Sequence, residues 1–159
     1  MNEVVILPQE RNNIHLFNTL KSIFLHLDNL ESTVIHQYHL SIPRYYTLKH
    51  IRENPGISLN ALTHKLLCTK SNTSRLVQSV VRKGYVERER SPEDARVLMH
   101  YITTEGAQLL EQVEQDHLDH FRNLFDPFGD DLETMLEVTR TIDSFLAKKT
   151  QQINLTQTK

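Results

Sequence analysis

Cysteine is almost absent from this chain: Cys68 stands alone among 159 residues, which excludes an intrachain disulfide framework and leaves stability to packing. Glycine and proline are also scarce, with four and five residues, so few tight turns are available and a mainly helical chain with little sheet is expected. No apolar stretch approaches membrane-spanning length. The opening VVILP run at residues 4–8 is too short for the apolar part of a secretion signal, lacks a basic start and gives way to Gln9, Glu10 and Arg11. A cytoplasmic location with no membrane partner is expected. Also missing are a glycine-rich phosphate loop, an HExxH pair, a nucleophile elbow and a cysteine–histidine dyad spacing, so neither an enzymatic role nor a cofactor is expected.

What is present fits one globular domain over residues 1–159, with 38% hydrophobic and 24% charged residues. A chain of this length buries roughly 68–70% of its unfolded surface. The formal net charge of -2 conceals a separation of sign. Residues 65–96 carry eight basic and four acidic side chains, a balance of +4, whereas residues 105–143 carry eleven acids against Arg122 and Arg140, a balance of -9. One part is suited to a polyanion and another to solvent, although two ordinary solvated faces give the same numbers.

Periodicity predicts six helices and one hairpin. Ile14, Phe17, Leu20, Phe24, Leu27, Val34 and Tyr38 recur at three- and four-residue steps over residues 12–38, a first helix about 40 Å long. Leu16, Ile23, Leu30 and Ile35 widen its stripe beyond what one layer of neighbours needs, and a dimer interface would use the surplus. Ser41 is the expected cap of a second helix, with Tyr46, Leu48 and Ile51 inward and Asn54-Pro55-Gly56 as its stop. Ser58 caps a third helix carrying Leu59, Leu62 and Leu66, and Thr69 caps a fourth that buries Thr73, Leu76, Val77 and Val80 and ends at Gly84. The hairpin follows. Residues 85–90 and 97–102 are its strands, Ser91-Pro92-Glu93-Asp94 its turn, and Leu98 and Ile102 its inward residues. Thr103 caps a fifth helix, and after a break at Asp126-Pro127-Phe128-Gly129 a sixth runs to about Lys148, leaving a polar, frayed tail at residues 149–159.

The most informative stretch is residues 69–96, where an amphipathic helix with a polar, cationic face passes at once into a basic finger. A helix able to lie in a groove, followed by a finger able to reach the next groove, is a device for reading DNA. Lys70, Ser71, Asn72, Ser74 and Arg75 face away from the apolar stripe and are the candidates for base edges in the major groove: Arg75 suits guanine as a fork and Asn72 suits adenine. Gln78, Ser79 and Arg82 lie further back and are expected at phosphates. Arg90, Asp94 and Arg96 belong to the wing.

The run over residues 40–110 resembles the MarR family of bacterial winged-helix regulators. The matching segments are ISLNALTHKLL, then SRLVQSVVRKGYVER, then Asp94-Ala95-Arg96 in the wing and Ile102-Thr103-Thr104-Glu105-Gly106 opening the next helix. The resemblance implies a winged helix-turn-helix at residues 41–102 between long dimerisation helices at residues 12–40 and 103–148. It further implies a homodimer whose two reading helices enter successive major grooves about 34 Å apart on a pseudo-palindromic double-stranded operator. By the same resemblance Arg96 is the minor-groove arginine, Asp94 shapes the wing, and the protein is a repressor released by a small anionic aromatic effector. Three positions depart from the pattern: Ala95 where a second basic residue is common, Leu67 at a turn position often given to glycine, and Thr63 where alanine is usual.

The input signal is less legible. His36, Tyr38, His39, Arg44, Tyr45 and Tyr46 gather where the first two helices meet, which reads either as an effector pocket for a carboxylate and a ring or as ordinary packing. His117 and His120, one turn apart, are weak candidates for a metal, the alternative being satisfied or exposed histidines. Cys68 precedes the reading helix, whose dipole favours a thiolate, but its position is otherwise an apolar one. Two further readings stand beside the ligand-released repressor: a ligand-independent architectural or activating DNA-binding regulator, and a metal-responsive one.

Overall fold

The computed structural model describes residues 7–157; most of the opening run at residues 4–8 and the last two residues of the tail lie outside them. Helix α1 spans Pro8–Ile35. It begins four residues before the apolar stripe predicted because its start is set by chemistry that the stripe does not show. Pro8 supplies a pre-set φ in the first turn, and Glu10 accepts the Leu7 N–H at 2.9 Å. It also ends three residues early. A 3-10 turn at His36–Tyr38 and a left-handed His39, φ 54°, redirect the chain into α2, Ile42–Glu53. Ser41 occupies the N-cap of α2, yet its side chain makes no capping bond; its carbonyl instead accepts the N–H groups of Arg44 and Tyr45.

The three-residue link after α2 leads into β1, Ile57–Ser58, and then α3, Leu59–Lys65, where Ser58 Oγ accepts the Ala61 N–H at 3.3 Å. Helix α4, Lys70–Arg82, starts at Thr69, whose Oγ1 accepts the Asn72 N–H at 3.3 Å. It buries Thr73, Val77 and Val80 against α2 and α3, with Leu76 half-buried. Helices α3 and α4 end in the same geometry. After α4, Tyr85 N–H reaches the Val80 carbonyl and Gly84 N–H the Val81 carbonyl, with Gly84 left-handed at φ 78°. After α3, Cys68 N–H reaches Thr63 and Leu67 N–H reaches His64, both at 3.4 Å, but the left-handed position is held by Leu67 at φ 51°. The departure from glycine noted in the sequence is therefore a strained one.

Strands β2, Val86–Arg90, and β3, Leu98–Ile102, form the expected hairpin with Arg88 opposite His100 and Val86 opposite Ile102. The sheet has a third strand that the sequence pattern does not announce, because two residues are too few to show alternation: β1 pairs with β3 and gives the order β1-β3-β2. Burial in β3 does not follow the alternation expected: His100 is its one buried residue, and neither Leu98 nor Ile102, predicted to point inward, is fully covered. Leu98 is 40% exposed at the wing end of the strand.

Thr103 caps α5, Thr104–Phe121: its hydroxyl accepts the Gly106 N–H at 3.1 Å and donates to the Gly84 carbonyl at 2.7 Å. Gly106 is there because nothing larger fits. A Cβ at that position would lie 2.2 Å from the Tyr85 carbonyl oxygen. One core joins these elements, with Ile35 of α1, Leu48 and Ile51 of α2, Leu62 of α3, Val77 and Val80 of α4, Val86 of β2 and Leu110 and Val113 of α5.

Two compact units divide between Asp119 and His120. The second contains a 3-10 turn at Asp126–Phe128 and α6, Asp131–Gln157. The tail expected to fray from residue 149 is helical to Gln157, since Lys149, Thr150, Gln151 and Gln152 hold no breaker that would end a helix already nucleated. Among the described residues no helix is long and apolar enough to cross a membrane.

Candidate nucleic-acid interface

Helix α4 presents two polar faces. Lys70, Ser74 and Gln78, spaced by four, line a cavity of about 540 Å³ whose other walls are Asn60 of α3 and Arg88, Arg96 and His100 of the sheet and wing. Ser71, Arg75 and Arg82 lie outside this cavity and are exposed. The predicted reading residues are thus sorted by the winding of one helix into those turned toward the wing and those turned outward. Asn72 is half-buried, with Nδ2 3.5 Å from Cys68 Sγ, and Ser74 accepts Gln78 Nε2 at 3.4 Å. Ser79 is not at the surface expected for a phosphate contact: it accepts a 2.8 Å hydrogen bond from Arg44 Nε and ties α4 to α2.

The wing tip is internally braced. Ser91 N–H donates to Val97, Val97 N–H to Asp94, and Ser91 Oγ accepts the N–H groups of Glu93 and Asp94. Arg90 Nη1 donates to the Ala95 carbonyl at 2.6 Å. Asp94 grips Arg96 three times: Oδ1 accepts its N–H and its Nε, both at 3.0 Å, and Oδ2 accepts Nη2 at 3.1 Å. These bonds hold the Asp94 carboxyl below its usual range, while Arg96 remains 91% exposed. A long cation is thereby pre-set in one direction before any partner arrives.

Sequence reasoning missed Asn60, Arg88 and His100. Arg88 had a visible signal, being one of the basic residues in the segment of charge +4, but only the register opposite His100 turns it to the cavity. His100 is buried, and its Nδ1 lies 2.8 Å from the Ile57 carbonyl across β1. A carbonyl only accepts, so Nδ1 carries the proton. Burial pushes the ring below the ordinary histidine range, helped by the neighbouring Arg88 charge and opposed by the Ile57 bond.

At the corner read as an effector pocket, four of the six side chains engage neighbours within the chain. Tyr38 donates to Asp116 Oδ2 at 2.5 Å, Arg44 is held by Ser79, and Tyr46 donates to Glu31 Oε1 at 2.9 Å. Tyr45 lies in the core with its hydroxyl pushed up to about 12 by burial and the Glu114 and Glu31 charges. His36 and His39 are exposed. His117 Nε2 lies 3.0 Å from the same Glu31 oxygen and its ring stacks on Tyr45, while His120 packs edge-on against Phe121. No group of three or more histidine, cysteine, aspartate or glutamate side chains among the described residues is placed to hold a metal.

Helix α4 thus has an exposed cationic face, a threonine cap and a left-handed glycine after its end, and an arginine-tipped wing follows it. Residues 39–97 match the model of the MarR family. The winged unit belongs to the MarR family. The transcriptional regulator HosA of Escherichia coli is 31% identical to this chain over 71 residues, 45% of the chain and 53% of that relative. The chain therefore spans about half the length of this curated relative. A MarR-like transcription regulator from Bacillus cereus shares the fold with a TM-score of 0.72 and 25% identity, over 89% of this chain and 98% of that one. FabT of Streptococcus pneumoniae, solved in complex with DNA, superposes with a TM-score of 0.75 at 21% identity over 86% of this chain and 98% of its own. The MarR family consists of DNA-binding transcription regulators and not of enzymes, and the mainly helical winged fold agrees with it.

Proposed function

We propose that the chain is a homodimeric transcription repressor that reads a pseudo-palindromic duplex operator, with α4 in the major groove and Arg96 in the adjacent minor groove. The observation that carries this reading is the wing: Asp94 fixes Arg96 outward beside an α4 whose Ser71, Arg75 and Arg82 are exposed. Arg75 is the guanine-reading fork, and Lys70 and Gln78 face the backbone. Dimerisation is supported by apolar side chains that a single copy leaves in water, among them Phe17 at 62% and Phe24 at 56% exposure on α1, and Phe145 at 58% on α6. Selection of bound duplexes from a random pool, with the mass of the complex measured by light scattering, tests the proposal. It expects a two-fold symmetric site with half-sites about 10 base pairs apart and two chains per site; recovery of no preferred sequence would refute it.

Release by a small ligand follows from the family resemblance, whereas within one chain Tyr46 and His117 both engage Glu31 at the corner where such a ligand was expected. That engagement favours the second reading, a regulator that needs no small ligand. Small aromatic acids added to the operator complex distinguish the two, by lowering affinity in the first case and leaving it unchanged in the second.

A further inference from the structure

Three cations, Lys70, Arg88 and Arg96, border the cavity between α4 and the wing, and His100 lines it. Arg88 and His100 are directly opposed on adjacent strands, so their side chains project from the same face of the sheet. Ile57 of β1 takes the ring's Nδ1 proton, and Asn60 of α3, which lines the same cavity, is neutral. On α2, the nearby charges are engaged elsewhere, Arg52 with Glu114 and Glu53 with His50. With Nδ1 donating to Ile57, the neutral ring offers only an acceptor at Nε2. That acceptor lies on the wall of a cavity bordered by three cations and wide enough to admit a phosphate group of a nucleic-acid backbone.

Resting on the DNA-reading function above, we propose that this cavity is the seat of one backbone phosphodiester per half-site, gripped by Arg88 and Lys70, and that His100 takes up a proton when the phosphate enters. The chemistry requires the proton. A phosphodiester oxygen only accepts hydrogen bonds, so it repels a lone pair at Nε2 but accepts from an imidazolium N–H. The proton comes from solvent and returns to it when the DNA leaves. In the free protein, burial and the Arg88 charge keep the ring neutral. A phosphate that neutralises Arg88 removes part of that opposition and adds an attraction of its own. Acidification therefore tightens the complex through this one ring, although it leaves Lys70, Arg88 and Arg96 as charged as before.

The test uses the intact protein and its selected operator. Affinity is measured from roughly pH 5 to 8, where histidine titrates, and proton uptake is measured by calorimetry in buffers of different ionisation heat. Wild type is expected to gain affinity toward low pH, by up to about tenfold per pH unit for each proton taken up. His100→Asn keeps a side-chain donor for the Ile57 carbonyl but cannot titrate, and it should lose that slope while still binding. Arg88→Ala should reduce the slope of log affinity against log salt by about 0.9 for each phosphate that it no longer neutralises. Proton uptake that persists in His100→Asn, or an unchanged salt slope in Arg88→Ala, overturns the proposal. Should His100→Asn fail to fold, the ring titration of His100 in the wild type, followed by NMR with and without duplex, decides instead: no upward displacement on binding sinks it. A wild type that binds no duplex at all overturns the DNA-reading function itself, and is recognised before any variant is made.

Discussion

Leu67 puts a branched side chain where the end of α3 needs a left-handed residue, and it leaves that side chain 80% exposed. The left-handed conformation costs a non-glycine residue roughly 1–2 kcal/mol, and no buried contact offsets it. Leu67→Gly is expected to raise stability by about 1 kcal/mol and the melting temperature by about 2–4 °C; calorimetry checks this, and an unchanged melting point would mean that the turn is not held left-handed. Gly106 poses the opposite case. Its Cβ would meet a backbone oxygen, which cannot rotate away, so Gly106→Ala should lower stability by about 1–3 kcal/mol in the same scans. On the reading face, Arg75→Ala is expected to cost about 1–3 kcal/mol of binding and to relax preference at one position per half-site, whereas Arg96→Ala weakens binding to all sequences. Equal affinity for both variants and wild type would displace the reading surface from α4 and the wing.

The elements differ in how openly the sequence announces them. Helix α4 was legible almost to the residue, because Thr69 and Gly84 are local signals that owe nothing to the rest of the chain. Strand β1 was not, and neither was the early end of α1, since both depend on partners distant in sequence: β1 on His100 and Met99, the 3-10 turn on the packing of Tyr38 against α5. The same division runs through the candidate site. The outward cations could be read from helical spacing, but the burial of His100 required knowing that β3 is the central strand, and the engagement of Ser79 required knowing where Arg44 lies. The buried ring makes the sheet sensitive to acid. Its neutral form is favoured in the folded state, so its contribution to stability is fully present above the unfolded value near pH 6.5 and is lost as pH falls below it. Denaturant midpoints should be level above about pH 6.5 and decline beneath it, and His100→Asn should lessen the decline; an identical decline in the variant would assign it to other groups.

For the whole molecule, the deciding quantity is apolar surface. Ile14, Phe17, Ile23 and Phe24 on α1, and Leu136, Phe145 and Leu146 on α6, are exposed in the single chain, more than a soluble monomer ordinarily leaves uncovered. If the proposed dimer uses this surface, Phe24→Glu is expected to shift the protein from two copies to one in sedimentation experiments while the winged unit keeps its fold; retention of two copies would remove α1 from the interface. If two winged units neutralise about 6 to 10 phosphates between them, operator affinity should fall on the order of 10³ to 10⁵ between roughly 50 and 200 mM salt. The hydroxyl of Thr103, which holds the carbonyl of Gly84 on one side and the amide of Gly106 on the other, bears on how such an assembly is controlled. One side chain thus ties the exit of the reading helix to the first turn of α5. In the proposed dimer, a signal that alters the distance between two reading helices would then carry the end of α4 and the start of α5 together, as a key turns with its shaft.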